Sequence, residues 1–329
     1  MRGAKLWETN TCINFTEDAS AKNRIRVTSG SGCQSHVGKN GGEQTMMLGY
    51  GCAYTYMTAH EIGHALGFMH TVQRHDRDEF ITINNKAISS SYYGDFLKLS
   101  PQQNDNFGLP YDYGDIMHYP ADYTTFNGEP AIKPKDEMYI QTLGSPFPSF
   151  NEYSMMNELY GCKELCKPVT SAECAMGGFP HPRDCTKCIC PTGYGGVLCN
   201  ERPSGCGNTV QASSNWTDLV DILKRKWNDP NEYTMCNYWI ESPEGTTIEV
   251  KLRYYPWDYS DYGCKYAGFE IKTNKDQTCT GFRWCSPAIA GKVFRSYTNR
   301  VPLITYTSLS WDPIKAVFEY RYVSARPDA

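Results

Sequence analysis

The chain has 329 residues, enough for two or three domains, with 40% hydrophobic and 21% charged residues and a net charge of −4. That balance supplies no basic field for nucleic acid or an anionic membrane surface, and no run approaches the roughly 18 apolar residues of a membrane span. Fifteen cysteines, seven of them between Cys162 and Cys199, point to disulfides and an oxidising compartment.

Residues 7–28 read as a helix end, an extended Cys12-Ile13-Asn14-Phe15 segment and a strand near Ile25 and Val27. Met1 to Trp7 holds no apolar signal-peptide core, so a truncated N-terminus is expected for a secreted protein. Gly30 to Gly32 makes a turn, and residues 33–37 form a strand with His36 exposed on it. Residues 38–51 read as a glycine-rich loop. No Lys-Ser/Thr pair follows, so the loop is not a phosphate cradle.

A helix is expected over 54–66, and it carries His60-Glu61-Ile62-Gly63-His64. Histidines four apart share a helix face and can grip one metal ion. Gly67 can adopt the positive φ that ends a helix and turns the chain. The turn returns His70 as a third imidazole, leaving a fourth position open, the pattern of a catalytic zinc site. Glu61 lies where it can take a proton from water at that position. The full pattern HExxHxxGxxH is the metzincin form, whose Met-turn is supplied by Met117 in Ile116-Met117-His118-Tyr119. Arg74, Asp76, Arg77 and Asp78 read as a salt-bridged knot, residues 87–123 as mostly irregular chain, and 150–160 as a closing helix.

These residues, with Tyr111-Asp112-Tyr113-Gly114-Asp115 before the Met-turn and Gly32-Cys33, Val37-Gly38, Gly41-Gly42 and Leu48-Gly49-Tyr50-Gly51-Cys52 before the helix, resemble the astacin metallopeptidases over about 7–162. The resemblance implies an α+β metzincin domain with one zinc per chain. Tyr119 would be a further zinc ligand that swings away to steady the oxyanion. The strand at 33–37 would take substrate as an added antiparallel strand. Bridges Cys12–Cys162 and Cys33–Cys52 are implied as well. Three positions depart from the family pattern. Thr71 replaces the Glu that usually receives the processed N-terminus, and Asp115 replaces Ser. Leu143-Gly144-Ser145-Pro146 lacks the Arg that selects acidic side chains after the scissile bond.

Beyond Cys162 the texture changes. Cys166 to Cys199, with Gly177-Gly178-Phe179 and Cys190-Pro191-Thr192-Gly193-Tyr194, resemble an EGF-like module, which implies Cys166–Cys185, Cys174–Cys188 and Cys190–Cys199. A zinc ribbon at Cys185 and Cys188 lacks a second ligand pair at matching spacing. Residues 206–322 resemble a CUB domain through Cys206-Gly207, Cys236-Asn237-Tyr238-Trp239, Pro243-Glu244-Gly245-Thr246 and Gly281-Phe282-Arg283-Trp284-Cys285. The alternation from Ile248 to Tyr254 is that of a half-buried strand, while Trp216, Leu219, Val220, Leu223 and Trp227 fall at helical spacing and predict a helix before Cys236. Implied bridges are Cys206–Cys236 and Cys264–Cys285. Cys279 is then the odd cysteine, either a free thiol, an intermolecular bridge or the alternative partner of Cys264. Ala267 stands where calcium-binding CUB domains have Asp, so calcium is not expected.

The expected layout is a peptidase domain at 1–162, an EGF-like module at 163–201 and an all-β CUB sandwich at 202–329. The expected function is a secreted zinc endopeptidase, with Glu61 as general base, acting on matrix, cuticle or egg-envelope proteins. Sequons at Asn14 and Asn215 agree with secretion. The alternative is an inert extracellular binding protein that uses the two C-terminal modules.

Overall fold

The computed structural model describes residues 2–224, 229, 231–309 and 313–325. Its N-terminal part is α+β. Helix α1 (Arg2–Asn10) precedes strands β1 (Arg24–Thr28), β2 (Cys33–Ser35) and β3 (Glu43–Leu48), and helix α2 (Thr55–Ala65) follows. A two-stranded ladder, β4 (Ile81–Ile83) with β5 (Ile132–Pro134), and helix α3 (Phe150–Leu159) complete it. Trp7 ties the helices together. Its ring is fully buried, its Nε1 donates to Ala59 O at 2.9 Å, and it meets Phe68 and Tyr153 edge-on. Gly3 lets α1 approach closely, because a Cβ there would lie 2.7 Å from Ala59 N.

The glycine-rich stretch, expected to be loop, contains a strand, β3. β3 is the middle strand of three, parallel to β1 and antiparallel to β2. Gln44 and Met46 point inward in strict alternation with exposed Glu43 and Thr45, a period hidden by flanking glycines that serve only the turns. The charged knot forms as Arg74–Asp76, Arg77–Asp78 and Lys98–Asp78 ion pairs.

Next comes a small hairpin module, β6 (Phe179–His181) with β7 (Asp184–Ile189), stitched by Cys166–Cys185, Cys174–Cys188 and Cys190–Cys199. With so little apolar core, disulfides carry its stability. Cys12–Cys162 and Cys33–Cys52 join distant parts of the first region. The former closes a loop long enough to contribute up to about 5 kcal/mol in the loop-entropy view.

The C-terminal region is a β-sandwich. Its strands are β8 (Thr209–Gln211), β9 (Thr217–Leu223), β10 (Thr234–Glu241), β11 (Thr246–Tyr254), β12 (Ala267–Ile271), β13 (Phe282–Trp284), β14 (Val293–Arg295), β15 (Arg300–Thr307) and β16 (Ile314–Ser324). One sheet runs β13-β12-β15-β10-β8 and the other β14-β11-β16-β9. Ile248, Val250 and Leu252 from one sheet meet Phe269, Ile271 and Leu303 from the other. Cys206–Cys236 and Cys264–Cys285 are bonded, and Cys279 has no disulfide partner.

The expected helix before Cys236 is instead β9. Leu219 and Leu223 are buried, Val220 and Ile222 are exposed, and Val220 pairs with Val317 of β16. Two leucines four apart satisfy a period of 3.6 and a period of 2 equally, and cross-strand pairing decides for the strand. Trp227 lies outside the described residues.

Candidate metal centre

Helix α2 puts His60 and His64 one turn apart on one face, with ring centroids 4.7 Å apart. The helix stops at Gly67, whose φ is +113°, a value strained for any residue with a side chain. Phe68 N closes the turn on Gly63 O at 2.9 Å, and the chain reverses to deliver His70. His70 Nε2 then lies 3.3 Å from His60 Nε2 and 3.1 Å from His64 Nε2. The three rings offer ligand atoms within 4.8 Å of one another, and no other cluster of His, Cys, Asp or Glu does so among the described residues.

The outer nitrogens fix the tautomers. His60 Nδ1 donates to Ile116 O at 2.8 Å and His64 Nδ1 donates to Phe68 O at 2.7 Å. A carbonyl oxygen only accepts, so both rings carry the proton outside and present Nε2 lone pairs inward. His70 Nδ1 bonds the Tyr119 hydroxyl at 2.8 Å. Burial lowers all three pKa values, His60 to about 4, so the rings are neutral at physiological pH. The His60 and His64 lone pairs aim at one point, and His70 Nε2 lies within hydrogen-bonding distance of both. A tetrahedral divalent ion such as zinc, with three imidazoles and one open position, fits this donor set.

Glu61 gives a second observation in the same direction. It is only 4% exposed, its Oε2 has no hydrogen-bond partner, and burial raises its pKa to about 7. A nearby cation would offset that cost.

The floor is Met117, 2% exposed, its Sδ pressed against Gly63. A Cβ on Gly63 would sit 2.8 Å from that sulfur. Gly63→Ala is therefore expected to lower the denaturation midpoint, overpacking of about 1–3 kcal/mol outweighing the roughly 1 kcal/mol that Ala gains over Gly inside a helix. An unchanged midpoint would contradict this packing.

Glu152 escaped the sequence reading. Glu152 of α3 accepts from Ile116 N at 2.9 Å and Met117 N at 3.0 Å, which holds the loop that orients His60. Its sequence signal was present: Ser149 and Glu152 form a reciprocal capping box at the start of α3. Tyr119 stacks on Tyr123 at 3.8 Å and sits at the outer nitrogen of His70. The two unusual residues meet, since Thr71 Oγ1 lies 3.2 Å from Asp115 Oδ2 and Ser149 Oγ 2.5 Å from Asp115 Oδ1. Burial, with the Glu152 and Asp112 carboxylates, pushes the Asp115 pKa well up, so the protonated acid is favoured.

A family model described as astacin, a peptidase family, matches residues 1–161. The zinc metalloproteinase nas-25 of Caenorhabditis elegans is 34% identical over 329 residues, covering 95% of this chain and 80% of that protein. The chain belongs to the astacin family. Another astacin, nas-31 of the same nematode, is 45% identical over 98% of this chain and 52% of its own length. Among solved structures, high choriolytic enzyme 1, a hatching enzyme zinc-protease of Oryzias latipes, is 32% identical, covers 48% of this chain and 79% of its own, and has a TM-score of 0.46. The chain spans about half the length of the nas-31 and nas-32 proteins that it matches. As an astacin it carries the α+β catalytic fold, and its C-terminal half adds a disulfide-rich module and an all-β sandwich.

Proposed function

We propose that this astacin is a secreted zinc endopeptidase organised as a peptidase domain at 1–162, an EGF-like module at 163–201 and a CUB domain at 202–329. The observation that carries the reading is the convergence of three neutral, inward-facing imidazoles beside an unpartnered buried carboxylate. His60, His64 and His70 would hold one zinc ion, and Tyr119, whose hydroxyl lies at the outer nitrogen of His70, would join them as a further ligand only on leaving that contact. When bound, zinc supplies Lewis acidity, acidifying water and polarising a peptide carbonyl.

The chain's own groups do the rest. Glu61 accepts a proton at Oε2 from the attacking water and returns it to the leaving amine. Burial keeps the Tyr119 phenol protonated, so after leaving His70 it can donate a hydrogen bond to the developing oxyanion. β2 lies at the edge of its sheet, and its free side can take a peptide as an added strand. Seven disulfides and the exposed sequon residues Asn14 and Asn215 support an extracellular, glycosylated protein. Proposed substrates are proteins of matrix, cuticle or egg-envelope type.

Purified protein should cleave casein internally, lose that activity to a chelator and regain it with zinc. Full zinc occupancy with no turnover on casein or peptide libraries would favour the inert binding protein instead.

A further inference from the structure

We infer that the C-terminal sandwich is a working part of the metal centre, with Asp112 as the positioning residue that transmits its seating to the loop holding His60. This rests on the zinc reading above. Asp112 is 1% exposed and its carboxylate is shared three ways. Oδ2 accepts from Thr280 N of the sandwich at 3.1 Å and from Asn151 Nδ2 of α3 at 3.3 Å. Oδ1 accepts from Gly114 N at 2.9 Å, closing the turn that leads into the Met-turn. A buried carboxylate that satisfies donors from three residues at once fixes their relative positions, because releasing any one leaves a buried polar group unpaired.

The contact is also sterically closed. A Cβ on Gly114 would lie 2.5 Å from Thr280 Oγ1 and would clash with its Cγ2 as well, so the sandwich turn rests directly on this glycine. Two residues beyond, Ile116 O accepts a hydrogen bond from His60 Nδ1, and the Ile116 amide is held from the other side by Glu152. The segment from Asp112 to Met117 is thus clamped between α3 and the sandwich, and the angle of the His60 ring depends on where the clamp holds it. Groups that orient metal ligands from behind usually change metal affinity when removed.

The test uses the full chain, with zinc as the probe. Zinc affinity is measured by chelator competition, hydrogen exchange at the Ile116 and Met117 amides is followed in the metal-free protein, and the metal-free melting temperature is recorded. Asp112→Asn turns an amide group toward amide donors. It is expected to weaken zinc binding about tenfold and speed Ile116 exchange, with KM for a short peptide unchanged and kcat lowered. Gly114→Ala should act in the same direction, and adding Thr280→Gly, which gives up the Thr280 hydroxyl but keeps its amide on Asp112, should restore most of the zinc affinity by relieving the contact from the other side. If Asp112→Asn does not fold, the Gly114→Ala and Thr280→Gly pair decides. Folded variants that bind zinc within about twofold of wild type, with unchanged exchange, overturn the inference while leaving the zinc reading intact. A wild-type chain that takes up no zinc overturns the zinc reading first.

Discussion

Glu61→Gln should leave the protein folded and able to hold zinc while lowering kcat/KM for a peptide substrate by about a thousandfold, within the range of a lost general base. The side chain keeps its shape, is not one of the three nitrogen ligands, and no longer accepts a proton. The same variant carries a pH signature. Burial raises the folded-state pKa of Glu61 from 4.5 to about 7. Metal-free wild type is therefore penalised once pH exceeds the unfolded value, and fully so above about 7. Gln carries no such penalty. The metal-free variant should melt above wild type at about pH 8, and the gap should close as pH falls from about 7 toward 4.5, where Glu61 is protonated in both states. Normal casein cleavage, or equal melting on the alkaline side, would contradict the role given to this carboxyl.

Glu270→Ala is expected to cost about 3–5 kcal/mol in the C-terminal half, the usual penalty for leaving one member of a buried ion pair alone. Glu270 and Arg283 pair at 3.0 Å with side chains 2% and 4% exposed. Glu270 Oε1 also accepts from Gly281 N at 2.8 Å, and Arg283 Nη1 reaches Ser145 Oγ across the seam at 2.5 Å. Without Glu270 the guanidinium keeps only part of its hydrogen bonding, and its Nε is already without a partner. Replacing both, as Glu270→Leu with Arg283→Met, should cost less than Glu270→Ala alone, because no charge is then stranded. Calorimetry of wild type, the single variant and the double variant reads this directly. A loss below about 1 kcal/mol for Glu270→Ala would show that water reaches the guanidinium.

The histidine cluster was legible because its spacing is chemistry: His60 and His64 are one helical turn apart, and Gly67 permits the reversal that brings back His70. What orients them was not. Ile116 O and Phe68 O are backbone acceptors that every residue possesses, so only the fold says which carbonyl a ring will find. Glu152 announced itself as a cap for α3, but nothing local says that its carboxylate also holds the Met-turn. The link between Asp112 and Thr280 spans 168 positions and leaves no periodic trace. Where two periods agree, as at Leu219 and Leu223, the pattern cannot choose between helix and strand. Where a strand is six residues long and hemmed by glycine, as at β3, turn residues mask it. Sequence pattern thus picked out the three histidines that cluster and the buried carboxyl beside them, while long-range contacts set their angles.

The most direct measurement is zinc titration of the metal-free full chain, followed by mass spectrometry under native conditions. One zinc ion per chain is expected, with tight binding in the wild type and severe loss in His60→Ala, His64→Ala and His70→Ala alike. A folded wild-type chain that binds no zinc, or that binds it equally well without any one of these histidines, would contradict the shared site.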